Sequence, residues 1–393
     1  MPFTSDGFTI GVKSIRRLIS LNYVTITSPI MRKICVVFVA LFAIACSSGN
    51  QSPWSKIILE KSIEESPKPL SLNDIADVVS IFEVNGRDSV LLSNITVKGI
   101  QGDTMLLDTN RGLYAVSAKS GQILHEIGHI GRGYGEYLMC NNVTLDRHFR
   151  TLYLSDGMTK RILKYGYDGE FICTEPVEDA YSVYEFSNGY KAVTNMEYGT
   201  RASLFDIYDN NWVLKRTGSI KSVYPKPRMT YLNAFSNDET ECLFKKMLGD
   251  TIYVVTPESE KPYCVIDKGR YKAPYEFMCD LDLMYDNGDK YIMNEGVFYN
   301  SSHVCIDFAL DKKWYFTLWD IASGELLGSY IRTSLEDSYG FQVTVNDKTA
   351  NVEPIDFTHD YMFCRVLDDS VDALFPNISE IANPVLLMMK LKK

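Results

Sequence analysis

The run His125-Glu126-Ile127-Gly128-His129 has the spelling of a zinc-peptidase motif, in which two imidazoles hold the metal and the glutamate activates water. That chemistry needs a helix, because helical spacing turns residues four apart onto one face. The local sequence argues for a strand. The motif follows a Ser120-Gly121 turn, contains Gly128 and the β-branched Ile127, and runs through Ile130 into further glycines. On a strand, residues four apart are separated by roughly 13 Å, far beyond a shared ion with bonds of about 2 Å. The expectation is a strand ending in a loop, with no zinc.

Other constellations point the same way. Gly131-Arg132-Gly133-Tyr134-Gly135 lacks the Lys-Ser/Thr pair of a phosphate loop, and no helix follows to offer its N-terminus. Its glycines suit a tight crossing between elements. Asp280, Asp282, Asp286 and Asp289 surround Asn287-Gly288 but miss the alternation of an EF-hand, so a solvated hairpin tip is expected. No Gly-x-Ser-x-Gly elbow occurs, and His148, His303 and His359 stand apart and assign no triad. Carboxylates are plentiful enough for a glycosidase-type pair to assemble in space. The 25 tyrosines and four tryptophans fit stacking platforms for sugars, although strand-rich cores are aromatic in any case.

The elements that must position these residues repeat. Gly102-Asp103-Thr104-Met105-Leu106-Leu107-Asp108 leads through a strand to Ser120-Gly121, and Leu152-Tyr153-Leu154-Ser155-Asp156 leads to Asp168-Gly169. Asp108 matches Asp156 and Gly121 matches Gly169, each 48 positions apart. A period near fifty with several short strands per unit is the signature of a β-propeller. Turn signals recur at Asn188-Gly189, Gly249-Asp250, Asn287-Gly288 and Ser323-Gly324. About 310 residues at roughly fifty per unit give an all-β domain of six blades, each of four antiparallel strands, with seven blades the nearest rival. Such a ring counts as one domain, here residues 54–393. Trp54–Ile63 and Pro384–Leu391 are candidates to pair and close it, and Ser71–Val78 reads as a turn or helical piece before a strand at Val79–Val84.

The start of the chain differs from the rest. Met31-Arg32-Lys33 precedes a twelve-residue apolar stretch, Ile34–Ala45, too short for the roughly 20 residues of a membrane-spanning helix and of the size of a secretory signal. Residues 31–45 therefore read as a signal peptide, residues 1–30 as an upstream extension, and residues 46–53 as a flexible tether. Five basic residues and one acid precede Cys46, so the remainder is more acidic than the whole-chain net charge of −10. An acidic body without a basic stripe repels phosphate backbones, which excludes nucleic acid as a partner. Nine cysteines occur without a Cys-x-x-Cys pair, most in apolar runs, so no disulfide framework is expected.

Ala43-Ile44-Ala45-Cys46 resembles a bacterial lipobox, with Ala43 where leucine is usual. Ser71–Val78, the Gly131–Tyr137 cluster, the Asp-Gly hairpins and the ending Asn383-Pro384-Val385-Leu386 resemble the six-bladed β-propeller lipoproteins of Bacteroidetes, similar in fold to NHL and TolB-type propellers. In those proteins the cluster reads Gly-x-Gly-Pro-Gly-Glu-Tyr, with Tyr134 in place of the proline here. The resemblance implies lipidation of Cys46, an anchor in the bilayer and a cell-envelope location. Ser47–Pro53 has no acid, which in such bacteria points to the periplasmic side rather than the cell surface.

The functional expectation is a membrane-anchored binding or interaction scaffold for a glycan, peptide or protein, with no catalytic residue, metal or cofactor. The alternative is a lyase or hydrolase acting on a glycan or peptide at the channel mouth. Ligand contacts are expected from Arg132, Glu136, Tyr137, Asn141 and Asn142, placed at the channel rim by the crossing into the second blade. Arg228 and Tyr231 are expected to serve a later blade in the same way. An arginine beside tyrosines suits an anionic or glycan-like ligand.

Overall fold

In the computed structural model the chain builds six β-sheets from strands of four to ten residues, apart from one of three, arranged as a six-bladed propeller. The described residues are 54–85, 91–146, 151–178, 180–195, 203–220, 234–246, 249–274, 277, 281–334, 337–375 and 383–392. Two strands precede the first blade: β1 (Ser55–Ile58) and β2 (Ala76–Glu83), separated by the helical turn α1 (Lys61–Glu64) and a 3-10 turn at Leu72–Asp74. Blade I follows as β3 (Thr96–Gln101), β4 (Thr104–Thr109), β5 (Gly112–Ser117) and β6 (Ile123–Glu126). Blade II is β7 (Cys140–Asp146), β8 (Thr151–Asp156), β9 (Arg161–Gly166) and β10 (Phe171–Glu178). Blade III is β11 (Ala180–Glu185), β12 (Lys191–Asn195), β13 (Phe205–Tyr208) and β14 (Leu214–Thr217).

Blade IV contains β15 (Leu243–Lys245), β16 (Thr251–Val255) and β17 (Glu260–Asp267), with β1 added outside β17 in parallel. On its inner side Phe235 makes an isolated antiparallel bridge to Phe244. After the helix α2 (Leu281–Asp286), blade V is β18 (Met293–Tyr299), β19 (His303–Leu310), β20 (Lys313–Asp320) and β21 (Leu326–Arg332). Blade VI is β22 (Phe341–Val345), β23 (Lys348–Phe357), β24 (Tyr361–Val366) and β25 (Val385–Leu391), with α3 (Asp368–Leu374) between the last two. Its outer edge is β2, antiparallel to β25 with Phe82 opposite Leu386.

Ring closure thus departs from expectation. The C-terminal strand is the one anticipated, but its partner is β2, and the segment near Trp54 pairs with blade IV instead. The stretch between β1 and β2 explains why both can dock. The Lys68 carbonyl accepts from the Ser329 N–H of blade V while the Lys68 N–H donates to Ser329 Oγ, and the Leu70 carbonyl accepts from the Gln342 N–H of blade VI. The N-terminal segment is therefore a strap across three consecutive blades. The acidic cluster differs as well: Asp282 and Asp286 lie on α2, not on a hairpin tip. The run Leu281–Asp286 has no glycine, proline or β-branched residue, so a helical turn is locally permitted there.

Six apolar clusters fill the six gaps between neighbouring blades. Leu106, Leu113, Val143 and Leu154 pack blade I on II. Leu243, Ile252, Phe308 and Trp319 pack IV on V. Among the described residues, the cluster between II and III is the smallest, built on Tyr153, Ile162, Val183 and Val193. The described cysteines, Cys140, Cys173, Cys242, Cys264, Cys305 and Cys364, are free thiols.

One contact recurs at the outer edge. Gly121 and Gly169, the matched glycines of the repeat, have φ of +74° and +88°, and Gly324 has +67°. A Cβ on Gly121 would lie 2.1 Å from the Glu83 carbonyl oxygen, on Gly169 2.5 Å from that of Glu126, and on Gly324 2.2 Å from that of Lys56. Each glycine thus seats the last turn of a blade against the outermost strand of the preceding blade, and for Gly324 that strand is β1. Ala substitution at any of the three combines a left-handed backbone with backbone overlap, an expected loss of about 2–4 kcal/mol. Gly102 has φ +58° but nothing within 4 Å of its Cβ position, so Gly102→Ala should cost only about 1 kcal/mol. Urea denaturation of the four variants checks this, and equal losses at Gly102 and Gly121 would remove the contact from the explanation.

Candidate functional site

Two adjoining cavities share Lys98, Ser236 and Asn237 in their walls: one of about 330 Å³ bordered by all six blades on the propeller axis, and one of about 430 Å³ beside it, bordered by blades I to IV. Every blade contributes: Thr96 and Lys98 from I, Asn142 and Thr144 from II, Tyr181 from III, Asn237 from IV, Glu295 from V and Asp356 from VI. Strand alternation puts one side chain in two towards the axis, and here those positions carry hydroxyl, amide and charged groups.

Lys98 is the centre of this lining. Its ammonium lies 3.6 Å from Asp108, and its side chain is only 16% exposed. Burial pushes the Asp108 carboxyl up, and Lys98 only partly offsets this. Asp108 also bonds the Cys140 thiol, whose own ionisation burial pushes far up. On the other side, Asn237 donates from Nδ2 to the Val97 carbonyl at 3.2 Å and to Asp356 Oδ2 at 3.0 Å. Burial raises Asp356 to about 7, against the pull of Lys98 and of the Phe357 N–H that it accepts at 2.8 Å. Asn142 donates to Ser182 Oγ at 2.8 Å, tying two inner strands together beside the cavity.

Elsewhere the charges are compensated. Lys245 reaches Glu295 at 3.1 Å, and Lys268, almost fully buried, bridges Glu295 and Asp250, the latter at 2.9 Å. Burial alone would raise Glu295, but the two lysines hold it below the usual carboxylate range. The first cavity is acidic at its walls: Asp146, Glu185, Asp238, Glu239 and Glu241 face a single lining lysine, Lys98. Its chemistry therefore disfavours a polyanion.

A second cluster imitates a triad without being one. Thr240 Oγ1, Ser301 Oγ and Asp238 Oδ1 lie 2.8, 3.2 and 3.4 Å from His359, all at the same ring nitrogen, Nδ1. A relay needs the hydroxyl on one nitrogen and the carboxylate on the other. Burial works against the Asp238 charge, yet the Thr240 and Ser301 groups that donate to it hold its carboxyl below the usual range. With Asn300 donating to the Thr358 carbonyl at 2.8 Å, the cluster knits turns of blades IV, V and VI.

The residues singled out from sequence fall in several places. His125 lies on strand β6 with Nε2 2.5 Å from the Tyr167 carbonyl, and His129 lies beyond the strand, 3.0 Å from Glu126. The Gly131–Tyr137 crossing is not at the channel rim. Gly135 packs on Phe171, its carbonyl accepts from Tyr165, and Arg161 donates to the Glu136 carbonyl, so the crossing lies over the outer strands of blade II. Within it Arg132 is exposed, Glu136 accepts the Gly133 N–H at 2.5 Å, and Tyr137 is fully buried with its hydroxyl accepting from Leu113 at 3.2 Å. A crossing this long can double back over its own blade before entering β7. Asn142 alone of these residues lines the axial cavity, while Asn141 sits against Gly157. Arg228, Tyr231, His148 and Cys46 lie outside the described residues. Lys98, Asn237 and Asp356 escaped the sequence reading; for Lys98 and Asp356 the one signal was a charged side chain beside apolar ones on a strand, and Asn237, in an irregular stretch before β15, carried none.

Comparisons with known proteins bear on the fold. A family model described as a domain of unknown function, DUF4934, matches residues 55–390. A solved protein of Bacteroides fragilis, provisionally described as exported, superposes with a TM-score of 0.61 at 16% identity, over 86% of this chain and 99% of its own. A DUF4221 protein of Bacteroides vulgatus gives 0.48 at 11% identity, over 81% and 99%. No curated protein matches.

Asp356 yields a pH prediction. Its folded value, near 7, lies above the ordinary 3.8, so the folded state holds a proton that the unfolded state has lost. Its contribution is fully present below about pH 4 and declines as pH rises to about 7. Asp356→Asn should flatten the fall in stability across that window, as read by denaturation at several pH values. An unchanged slope would mean that Asp356 titrates normally.

Proposed function

This chain belongs to the DUF4934 family, and we propose that it is an extracytoplasmic, lipid-anchored binding protein whose axial channel takes a small neutral, hydroxyl-rich ligand. The observation that carries the reading is the lining itself: all six blades converge polar groups on two adjoining cavities of ligand size. Lys98 supplies donors, Asp146 and Glu185 supply acceptors, and Asn142 and Asn237 supply both. The surplus of carboxylates turns away phosphates and other polyanions. The location is supported by the basic start at Met31-Arg32-Lys33, the apolar stretch to Ala45 and the lipobox-like Ala43-Ile44-Ala45-Cys46. A fold relative provisionally described as exported agrees with it.

A hydrolase or lyase is the second reading, favoured by one feature. A carboxyl titrating near neutrality beside a lysine is the kind of group that can exchange protons with a substrate.

Two experiments test the proposal. Calorimetry of the full chain against neutral sugars and polyols, with citrate and hexose phosphates as controls, should detect binding only to the neutral set. Lys98→Met keeps the length of the stem but removes the donors, and should weaken that binding by roughly tenfold at temperatures where the variant, having lost the partner of Asp108, is still folded. Binding confined to the anions, or untouched by Lys98→Met, would sink the axial reading. For the anchor, Cys46→Ala should abolish fatty-acid labelling in the producing cell and release the protein from membranes. Persistent labelling of the variant would show that the lipid is elsewhere.

A further inference from the structure

Between blades II and III, where the apolar packing is thinnest, a cleft of about 800 Å³ opens. One wall is the indole of Trp212, whose backbone lies in the left-handed region at φ +58°. A bulky residue there is an outlier, since glycine or asparagine takes such positions at less strain. The turn does not ask for tryptophan. Asp209 fixes it by accepting the N–H groups of Asn211 and Val213, each at 2.9 Å, and its own carbonyl accepts the Trp212 N–H at 3.0 Å. Those bonds form with any residue at position 212.

The surroundings hold the ring in place. Tyr153 meets the indole edge-on at 6.3 Å between centroids, Tyr208 lies tilted at 5.9 Å, the Lys191 ammonium sits over one face of the ring 5.1 Å from its centre, and the indole packs on the apolar cluster between the two blades. Tyr153 donates to Glu185 at 2.6 Å and carries the Lys164 ammonium 4.9 Å from its own ring centre. Around the aromatic wall the cleft offers two lysines, the carboxylates Glu175 and Glu185, and the amides Asn188 and Asn210. The charges balance, so the cleft suits a neutral guest. An aromatic plate ringed by paired donors and acceptors matches the two-sided chemistry of a pyranose, apolar on its C–H face and hydroxylated at its rim.

We propose that the cleft between blades II and III is a carbohydrate site that seats a neutral pyranose ring against Trp212. The proposal stands apart from the axial reading, although Glu185 and Ser187 line both spaces. The test uses the full chain with maltose, cellobiose and chitobiose as probes, followed by calorimetry and tryptophan fluorescence. At least one disaccharide should bind with a fluorescence change that 1 M salt leaves intact. Trp212→Gly, which suits the left-handed backbone, should lower that affinity by roughly tenfold, and Lys119→Met, at an exposed turn of blade I, should leave it within about twofold. If Trp212→Gly fails to fold, Trp212→Phe, which retains an aromatic plate, should keep binding that Trp212→Asn loses. No binding of any probe, or equal binding by wild type and Trp212→Gly, overturns the proposal. Loss in Lys98→Met alone would overturn it too, while placing the sugar in the axial channel.

Discussion

The structure depends on seating each blade against the one before it. A sheet twists, and six twisted sheets close into a ring only if each presents a face and an edge that the next can meet. The faces are met by six apolar clusters. The edge is met, in blades I, II and V, by a glycine turn whose missing Cβ admits a backbone carbonyl of the neighbouring outer strand. This contact has little tolerance, because the partner is backbone and cannot rotate away. It also explains why the N-terminal strand matters: β1 supplies the carbonyl that Gly324 meets, and β2 supplies the one that Gly121 meets.

Closure in turn makes the axial site. Lys98 and Asp356 are remote in sequence and stand on different blades, I and VI, and the junction between those blades is the one that β2 and β25 seal. Asn237 then bridges a third blade to both, holding the Val97 carbonyl and the Asp356 carboxylate with one amide. The polar lining is thus a consequence of ring geometry, since no single blade holds more than a fraction of it. The N-terminal strap gives the same logic a mechanical side: a chain tethered upstream of β1 would transmit force first into the outer edge of blade IV, away from the axial lining.

What was legible in the sequence follows from what repeats. Gly121 and Gly169 recur because blades I and II face the same steric demand at their last turn, so period, blade number and strand type were readable from them. His125 was readable as a strand residue from the glycine and β-branched residues around it. The parallel addition of β1 was not, because a four-residue strand, here Ser-Lys-Ile-Ile, carries no record of its partner. The crossing at Gly131–Tyr137 misled on position, since glycines announce a turn but not the surface on which it lies. Tyr137 shows the cost: a tyrosine in a loop-like stretch proves to be core, its hydroxyl spent on the Leu113 N–H. Lys98 and Asp356 were hidden because a polar residue on a strand looks the same whether it faces water or the axis.

The claim that the axis is where recognition happens meets its most direct test in lysine footprinting. Reductive methylation of the full chain, with and without a saturating neutral ligand, is read residue by residue by mass spectrometry. Lys98, buried in the channel wall, should lose reactivity when ligand is present, while Lys119, 74% exposed on the same blade, should not change. Equal labelling of Lys98 in both samples, with the ligand demonstrably bound, would place recognition elsewhere on the molecule.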